Sequence, residues 1–404
     1  MDFTRLLADR TTQMEASAIR EILKVASQPE VVSLAGGLPA AESFPLDLLP
    51  GLLDTVVARY GAASLQYDAS EGFAPLREAL VPHLAARGVT TTADQVLITS
   101  GSQGALDGLG KTFLSPGDLV AVEAPTYLGA LQAFNPYQPR YVQVEADDDG
   151  LVPDSLDQVL SAGGVKFVYA VPTFQNPTGR TLSVERRHRV AEILQRHDAL
   201  LIEDDPYSDL RYVGERVPPI HSLAPNHVIY LSTLSKTFSP GLRLGICVAP
   251  PEAFRWLVIA RQGVDLHTGT LGQALASEYL SGGHLERRVP EIVEFYRPRR
   301  EAMLSTLERT MPEGVHWTQP EGGMFVWVTG PRGLDADRLY QATLARGVAF
   351  VPGRHFYAPP DGGAGLPADA TSTFRMNFTA AEPAVIERAV EVIAEVMHEM
   401  LSRG

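Results

Sequence analysis

The chain has 404 residues, 45% of them hydrophobic and 20% charged, an ordinary globular mixture that excludes a disordered or fibrous protein and, at this length, leads us to expect two or more packed domains. A formal charge of -14 weighs against nucleic acid or anionic lipid as a partner. The single cysteine, Cys247, excludes an intrachain disulfide framework; with no basic-then-apolar start and no run of about 18 apolar residues, a soluble cytoplasmic protein without a membrane partner is expected.

In chain order, Ala16, Ile19, Leu23 and Ala26 fall at helical spacing over residues 12–26, which predicts an amphipathic helix, and Gly36-Gly37-Leu38-Pro39 breaks it. From about 50 to 280, helical stretches alternate with short apolar runs at 96–100, 119–123, 166–171, 199–203, 227–232 and 244–249. That rhythm predicts a largely parallel sheet covered by helices. Beyond about 285 come a long charged helical segment, strands near 323–329, 348–352 and 373–378, and a closing helix, the pattern of a smaller α+β domain. The stretch 354–370, rich in Pro, Gly and Ala, reads as a long loop, with Arg354 to Phe356 as candidates for lying near a pocket. The expected division is an N-terminal arm over 1–44, a large domain over 45–284 and a small domain over 285–404.

Four segments carry chemistry. Ser232-Thr233-Leu234-Ser235-Lys236 follows the apolar strand Val228-Ile229-Tyr230-Leu231, and Pro240-Gly241-Leu242-Arg243 comes shortly after. A lysine that is to attack a carbonyl must be unprotonated, which burial or a neighbouring cation achieves, while hydroxyls and an arginine fork suit a phosphate dianion. The second segment has Val96-Leu97-Ile98-Thr99-Ser100 as a strand, Gly101 as a turn and Ser102-Gln103-Gly104 as a helix start, an anion site in outline. Gly110-Lys111-Thr112 resembles the tail of a P-loop, but Ala105 stands where that motif needs glycine. The third, Glu203-Asp204-Asp205-Pro206-Tyr207, puts carboxylates at the end of a parallel strand, where such sheets bind ligands. There a carboxylate about 3 Å from a protonated pyridine gains of order 5 kcal/mol at an effective ε near 20, before desolvation. The fourth, Pro172-Thr173-Phe174-Gln175-Asn176-Pro177-Thr178-Gly179, reads as a tight turn. Each segment alone has a plain structural explanation as well: a solvated lysine, a capped helix, a turn.

Taken together, in this order and spacing, the segments resemble the fold type I pyridoxal-phosphate aminotransferases of class I/II, over nearly the whole chain. The resemblance implies an α/β protein with a mostly parallel seven-stranded sheet in the large, coenzyme-binding domain and a smaller α+β domain. It implies that Lys236 carries pyridoxal 5′-phosphate covalently and then shuttles the proton between substrate Cα and coenzyme C4′. Asp204 matches the pyridinium partner, Asn176 and Tyr207 the residues on the ring hydroxyl, and Tyr127 the aromatic stacked on the ring. Ser102, Gln103, Thr233, Ser235 and Arg243 match the phosphate cradle, Tyr67 the residue that reaches the neighbouring subunit's phosphate in a homodimer, and Arg375 the grip on the substrate α-carboxylate.

A narrower resemblance, of Ala16 to Leu23 and of Ser33-Leu34-Ala35-Gly36-Gly37-Leu38-Pro39, is to the 2-aminoadipate aminotransferase (LysN-type) branch. It implies a substrate site completed by the N-terminal arm, with Arg20 on the distal carboxylate of glutamate or 2-aminoadipate and Gly37 letting the backbone come close. The leading expectation is therefore transamination of 2-oxoadipate by glutamate, as in lysine biosynthesis, with a broad amino-acid and 2-oxo-acid range. A branched-chain or aromatic aminotransferase is the alternative, and a pyridoxal-phosphate lyase comes third. A transcription regulator carrying such a domain finds no support, because the resemblance begins near residue 12 and the chain is acidic.

Overall fold

A computed structural model of the protein describes the chain except residues 2, 15–21, 23, 25–27, 29, 360–365, 368, 403 and 404. Most of the helix expected over 12–26, and Arg20 with it, lies outside the described residues.

Seven strands form the main sheet: β1 Val96–Ser100, β2 Leu119–Glu123, β3 Arg140–Val144, β4 Val165–Ala170, β5 Leu201–Asp204, β6 Val228–Thr233 and β7 Leu244–Val248. Their order across the sheet is β1-β7-β6-β5-β4-β2-β3. The neighbours from β6 across to β3 pair in parallel, whereas β7 runs antiparallel to both β6 and β1. The reason is local: the connection from Thr233 to Leu244 contains no α-helix, and a parallel crossover needs a dozen or more residues.

Alternate residues of each strand enter different cores, which is why the central strands read as continuous apolar runs. Leu97, Tyr169, Ile202 and Leu231 pack on one face with Ala105, Leu106 and Leu109 of helix α1 (Gly101–Phe113). On the opposite face, Val96, Ile98 and Tyr230 meet Leu76, Leu80 and Tyr279, and Val168, Leu201 and Val228 meet Val190, Ile193 and Leu194. Strand β3 escaped the apolar-run reading because Arg140, Val142 and Gln143 are not buried there; it is an edge strand with an amphipathic pattern.

The second sheet is antiparallel: β8 His316–Trp317, β9 Phe325–Thr329, β10 Val351–Pro352 and β11 Thr373–Asn377, in the order β8-β9-β11-β10. The 27-residue helix His284–Thr310 and the C-terminal helix Pro383–Leu401 contribute Met303, Leu307, Ile386 and Ile393 to the core it shares. The strand expected at 348–352 is divided. Val348–Ala349 pairs in parallel with Val32–Ser33, and only Val351–Pro352 joins β11. Leu34 then donates its N–H to Ala349 and accepts from the Asn377 N–H at 2.7 Å. These bonds lay residues 35–37 beside β11.

Candidate active site

The carboxyl ends of β1, β2, β4, β5 and β6 share one edge of the main sheet, where ligands of open α/β sheets bind. A cavity of about 330 Å³ opens there, lined by both Lys236 and Asp204. Asp204, the last residue of β5, is 2% exposed. Its Oδ2 accepts from the Tyr169 hydroxyl at 2.8 Å, and its buried Oδ1 has no protein partner. Burial pushes this carboxyl up to about 7, against the hydrogen bond from Tyr169. Lys236, three residues past β6, donates from Nζ to the Gly37 carbonyl at 2.9 Å. Burial, then the Arg375 and Arg243 charges, lower its ammonium to about 8, so an appreciable fraction is free amine near neutrality.

The anion end is built at the start of α1. Gly101 has φ +72°, and a Cβ there would collide with the Arg243 guanidinium, so only glycine fits the turn without displacing that side chain. Arg243 itself sits in the left-handed region at φ 54° and reaches the carbonyls of Pro240 and Ser100 at 3.3 and 3.4 Å. The Ser102 hydroxyl donates to the Ser232 carbonyl at 3.3 Å, Gln103 Nε2 donates to the Gly129 carbonyl at 2.7 Å, and the Thr233 and Ser235 hydroxyls meet at 2.8 Å. Hydroxyls, a guanidinium and the positive end of a 13-residue helix thus converge where a phosphate dianion fits.

Between the two ends lie Tyr127, Asn176 and Tyr207, all on the cavity wall. Asn176 Nδ2 donates to the Tyr207 hydroxyl at 3.4 Å, while its Oδ1 accepts from Arg375 Nη1 at 2.7 Å. The second arm of the Arg375 fork donates to the Ala35 carbonyl at 2.7 Å. The guanidinium lies 4.2 Å from the Phe325 ring centre and 4.8 Å from that of Phe356. Arg375 is 2% exposed, and burial lowers it to about 10, still charged at neutral pH. It stands behind the wall residue Asn176, both arms of its fork already held by Asn176 and Ala35.

The sequence-predicted residues thus gather, Arg375 and Gly37 through their bonds to Asn176 and Lys236 rather than by lining the cavity, with two exceptions. Tyr67 does not line the cavity; it is 77% exposed, with its ring edge-on to His267 at 5.8 Å. Arg20 lies outside the described residues. In the 354–370 loop, Phe356 is buried against Arg375, whereas Arg354 pairs with Asp337 at 3.1 Å. Sequence reasoning missed Tyr169, although a tyrosine in an apolar strand needs a buried acceptor for its hydroxyl, and that signal was available. It also missed the neutral wall of Leu38, Val171, Pro206 and Pro240. A larger cleft, about 850 Å³, lies beside Arg180 and Trp317, but no lysine lines it.

Pyridoxal 5′-phosphate fits these residues. An unpartnered, buried carboxylate oxygen, an amine of lowered basicity and an anion cradle, all on one cavity, are the three groups its ring nitrogen, carbonyl and phosphate require.

Known proteins agree with the geometry. The sequence profile of the family "Aminotransferase class I and II" matches residues 55–393. Aromatic-amino-acid aminotransferase 1 of Thermococcus litoralis is 43% identical, over 100% of this chain and 96% of that protein. The 2-aminoadipate transaminase of Thermus thermophilus is 39% identical over 96% of each chain. The crystal structure of a multiple substrate aminotransferase from Thermococcus profundus superposes with a TM-score of 0.93 at 43% identity, covering 100% of both chains. With its lysine, carboxylate and anion cradle on the carboxyl edge of a mostly parallel seven-stranded sheet, the chain belongs to the class I and II aminotransferases, enzymes that work with pyridoxal 5′-phosphate.

Proposed function

We propose that the protein is an aminotransferase of broad specificity, exchanging amino groups between glutamate or 2-oxoglutarate and amino acids with aromatic or long aliphatic side chains. One observation carries this reading. Among the described residues, the only cations lining the cavity are Lys236 and Arg243, which the coenzyme engages, and the wall left for a side chain is Leu38, Val171, Pro206 and Pro240. A neutral wall rewards apolar burial at about 25 cal/mol per Å². The names of the Thermococcus relatives, one aromatic and one of multiple substrates, point the same way.

When bound, pyridoxal phosphate supplies a carbonyl that exchanges for the amino group and a protonated ring that draws electrons from substrate Cα. In this reading Asp204 Oδ1 keeps the proton on the ring nitrogen, and Asn176 and Tyr207 orient the ring hydroxyl. Ser102, Gln103, Thr233, Ser235 and Arg243 hold the phosphate, and Tyr127 covers the ring face. Arg375 grips the α-carboxylate, which aims Cα–H at the amine. Lys236 Nζ, positioned by the Gly37 carbonyl, would take up and return the substrate Cα proton. The exposed Phe3, Leu6, Leu65 and Tyr67 support a homodimer in which Tyr67 reaches the neighbour's phosphate.

The name of the Thermus relative favours a second reading, 2-aminoadipate as the chief substrate, with Arg20 as the distal-carboxylate ligand. A panel of half-reactions, followed by the coenzyme absorbance, distinguishes the two. Broad specificity predicts larger kcat/KM for phenylalanine, tyrosine and leucine than for 2-aminoadipate, whereas the second reading predicts the reverse order and losses in Arg20→Ala confined to the dicarboxylates. An enzyme that turns over 2-aminoadipate and glutamate but not the apolar amino acids would overturn broad specificity.

A further inference from the structure

We propose that Tyr169 is a positioning residue for amino transfer: its hydroxyl aims the Asp204 carboxylate and draws charge from it, so that the proton stays on the coenzyme ring nitrogen.

The two oxygens of Asp204 are not equivalent. Oδ2 takes the Tyr169 hydroxyl at 2.8 Å, and Oδ1 is buried and unpartnered on a residue of the cavity wall. A carboxylate bonded at one oxygen has a fixed plane, so its free oxygen has one direction in which to act. The donor also changes how the pair shares a proton. A buried carboxylate with no donor is a strong base and takes the proton from a pyridinium beside it, which leaves the ring a poor electron acceptor. With a phenol behind it the negative charge is spread, and the proton stays on nitrogen.

Tyr169 is suited to this work. Its side chain has no exposed surface, it stands on the central strand β4, and its ring packs edge-on to Phe134 with centroids 6.0 Å apart. Burial and the Asp204, Tyr127 and Glu123 groups around it raise the phenol well above its usual range, so it remains a donor wherever the enzyme works. A hydroxyl that merely satisfied a core tyrosine would have no effect on the ring.

The inference rests on Asp204 as the ring-nitrogen partner, and the test separates the two. Holoenzyme carrying coenzyme labelled with ¹⁵N in the ring is compared by NMR for wild type, Tyr169→Phe and Asp204→Asn, together with half-reaction kinetics. In Tyr169→Phe the ring resonance moves towards that of neutral pyridine. There kcat falls on the order of 10-fold for every amino acid, the loss of one hydrogen bond to a charged group, while KM holds. If the resonance moves in Asp204→Asn and not in Tyr169→Phe, the inference fails and the role of Asp204 stands. If it moves in neither, both fail. Should Tyr169→Phe not fold, 3-fluorotyrosine at position 169, a stronger donor of nearly the same shape, is expected to move the resonance the opposite way, and an unmoved signal overturns the proposal.

Discussion

Replacing Asp204 with asparagine should make the coenzyme-free protein more stable and the coenzyme-binding protein worse, and the size of the first effect follows from the site. An unfolded aspartate ionises at its ordinary value of 3.8, whereas burial lifts Asp204 to about 7. Between those values the folded protein holds a proton that the unfolded chain has released. Stability therefore falls as pH rises through that window and stays low above it. At about 1.36 kcal/mol per unit, the full cost is about 4 kcal/mol, and about 3 kcal/mol of it appears between about pH 5 and about pH 8. Asparagine cannot ionise, so Asp204→Asn should lack that slope. Near pH 8 the gap in unfolding midpoint should exceed the gap near pH 5 by a few degrees for a chain of this length. The ring nitrogen, when present, offsets the cost in wild type alone, so coenzyme affinity should drop roughly 10- to 100-fold in the variant. Thermal unfolding of both coenzyme-free proteins across that pH range, with coenzyme titration followed by tryptophan fluorescence, reads both effects. Parallel pH profiles would refute the reasoning, as would undiminished coenzyme affinity.

Two further outcomes follow from the same cavity. Arg375→Lys keeps a charge but loses the fork that reaches Asn176 and Ala35; kcat/KM should fall on the order of 10²-fold for all amino acids alike, with coenzyme affinity held, and a loss confined to one substrate class would contradict it. Capture of the coenzyme by the coenzyme-free enzyme needs the free amine, whose ammonium burial and two arginines bring from 10.5 to about 8. The rate in stopped-flow absorbance should therefore climb through about pH 8 and level off above it, and a midpoint near the ordinary lysine value would contradict that.

Much of the site was legible because its chemistry is concentrated in contiguous residues. Ser232 to Lys236 and Glu203 to Tyr207 each follow an apolar strand, so strand ends and functional groups were read together. What escaped reading depends on partners distant in sequence. The direction of β7 is invisible in Leu244 to Val248, since a buried run is the same either way. Phe350 divides a single apolar stretch between two sheets, a choice made by Val32–Ser33 more than 300 residues away. The lysine's acceptor on Gly37, the Arg375 anchor on Ala35 and the Tyr169 bond to Asp204 are likewise long-range pairings that periodicity does not carry.

The most direct test is to identify the residue that bears the coenzyme. Holoenzyme reduced with borohydride and digested should yield one coenzyme-labelled peptide, modified at Lys236, and Lys236→Ala should lose both the label and the visible absorbance band. A label on Lys111 or any other lysine, or a band that survives in Lys236→Ala, would contradict the account.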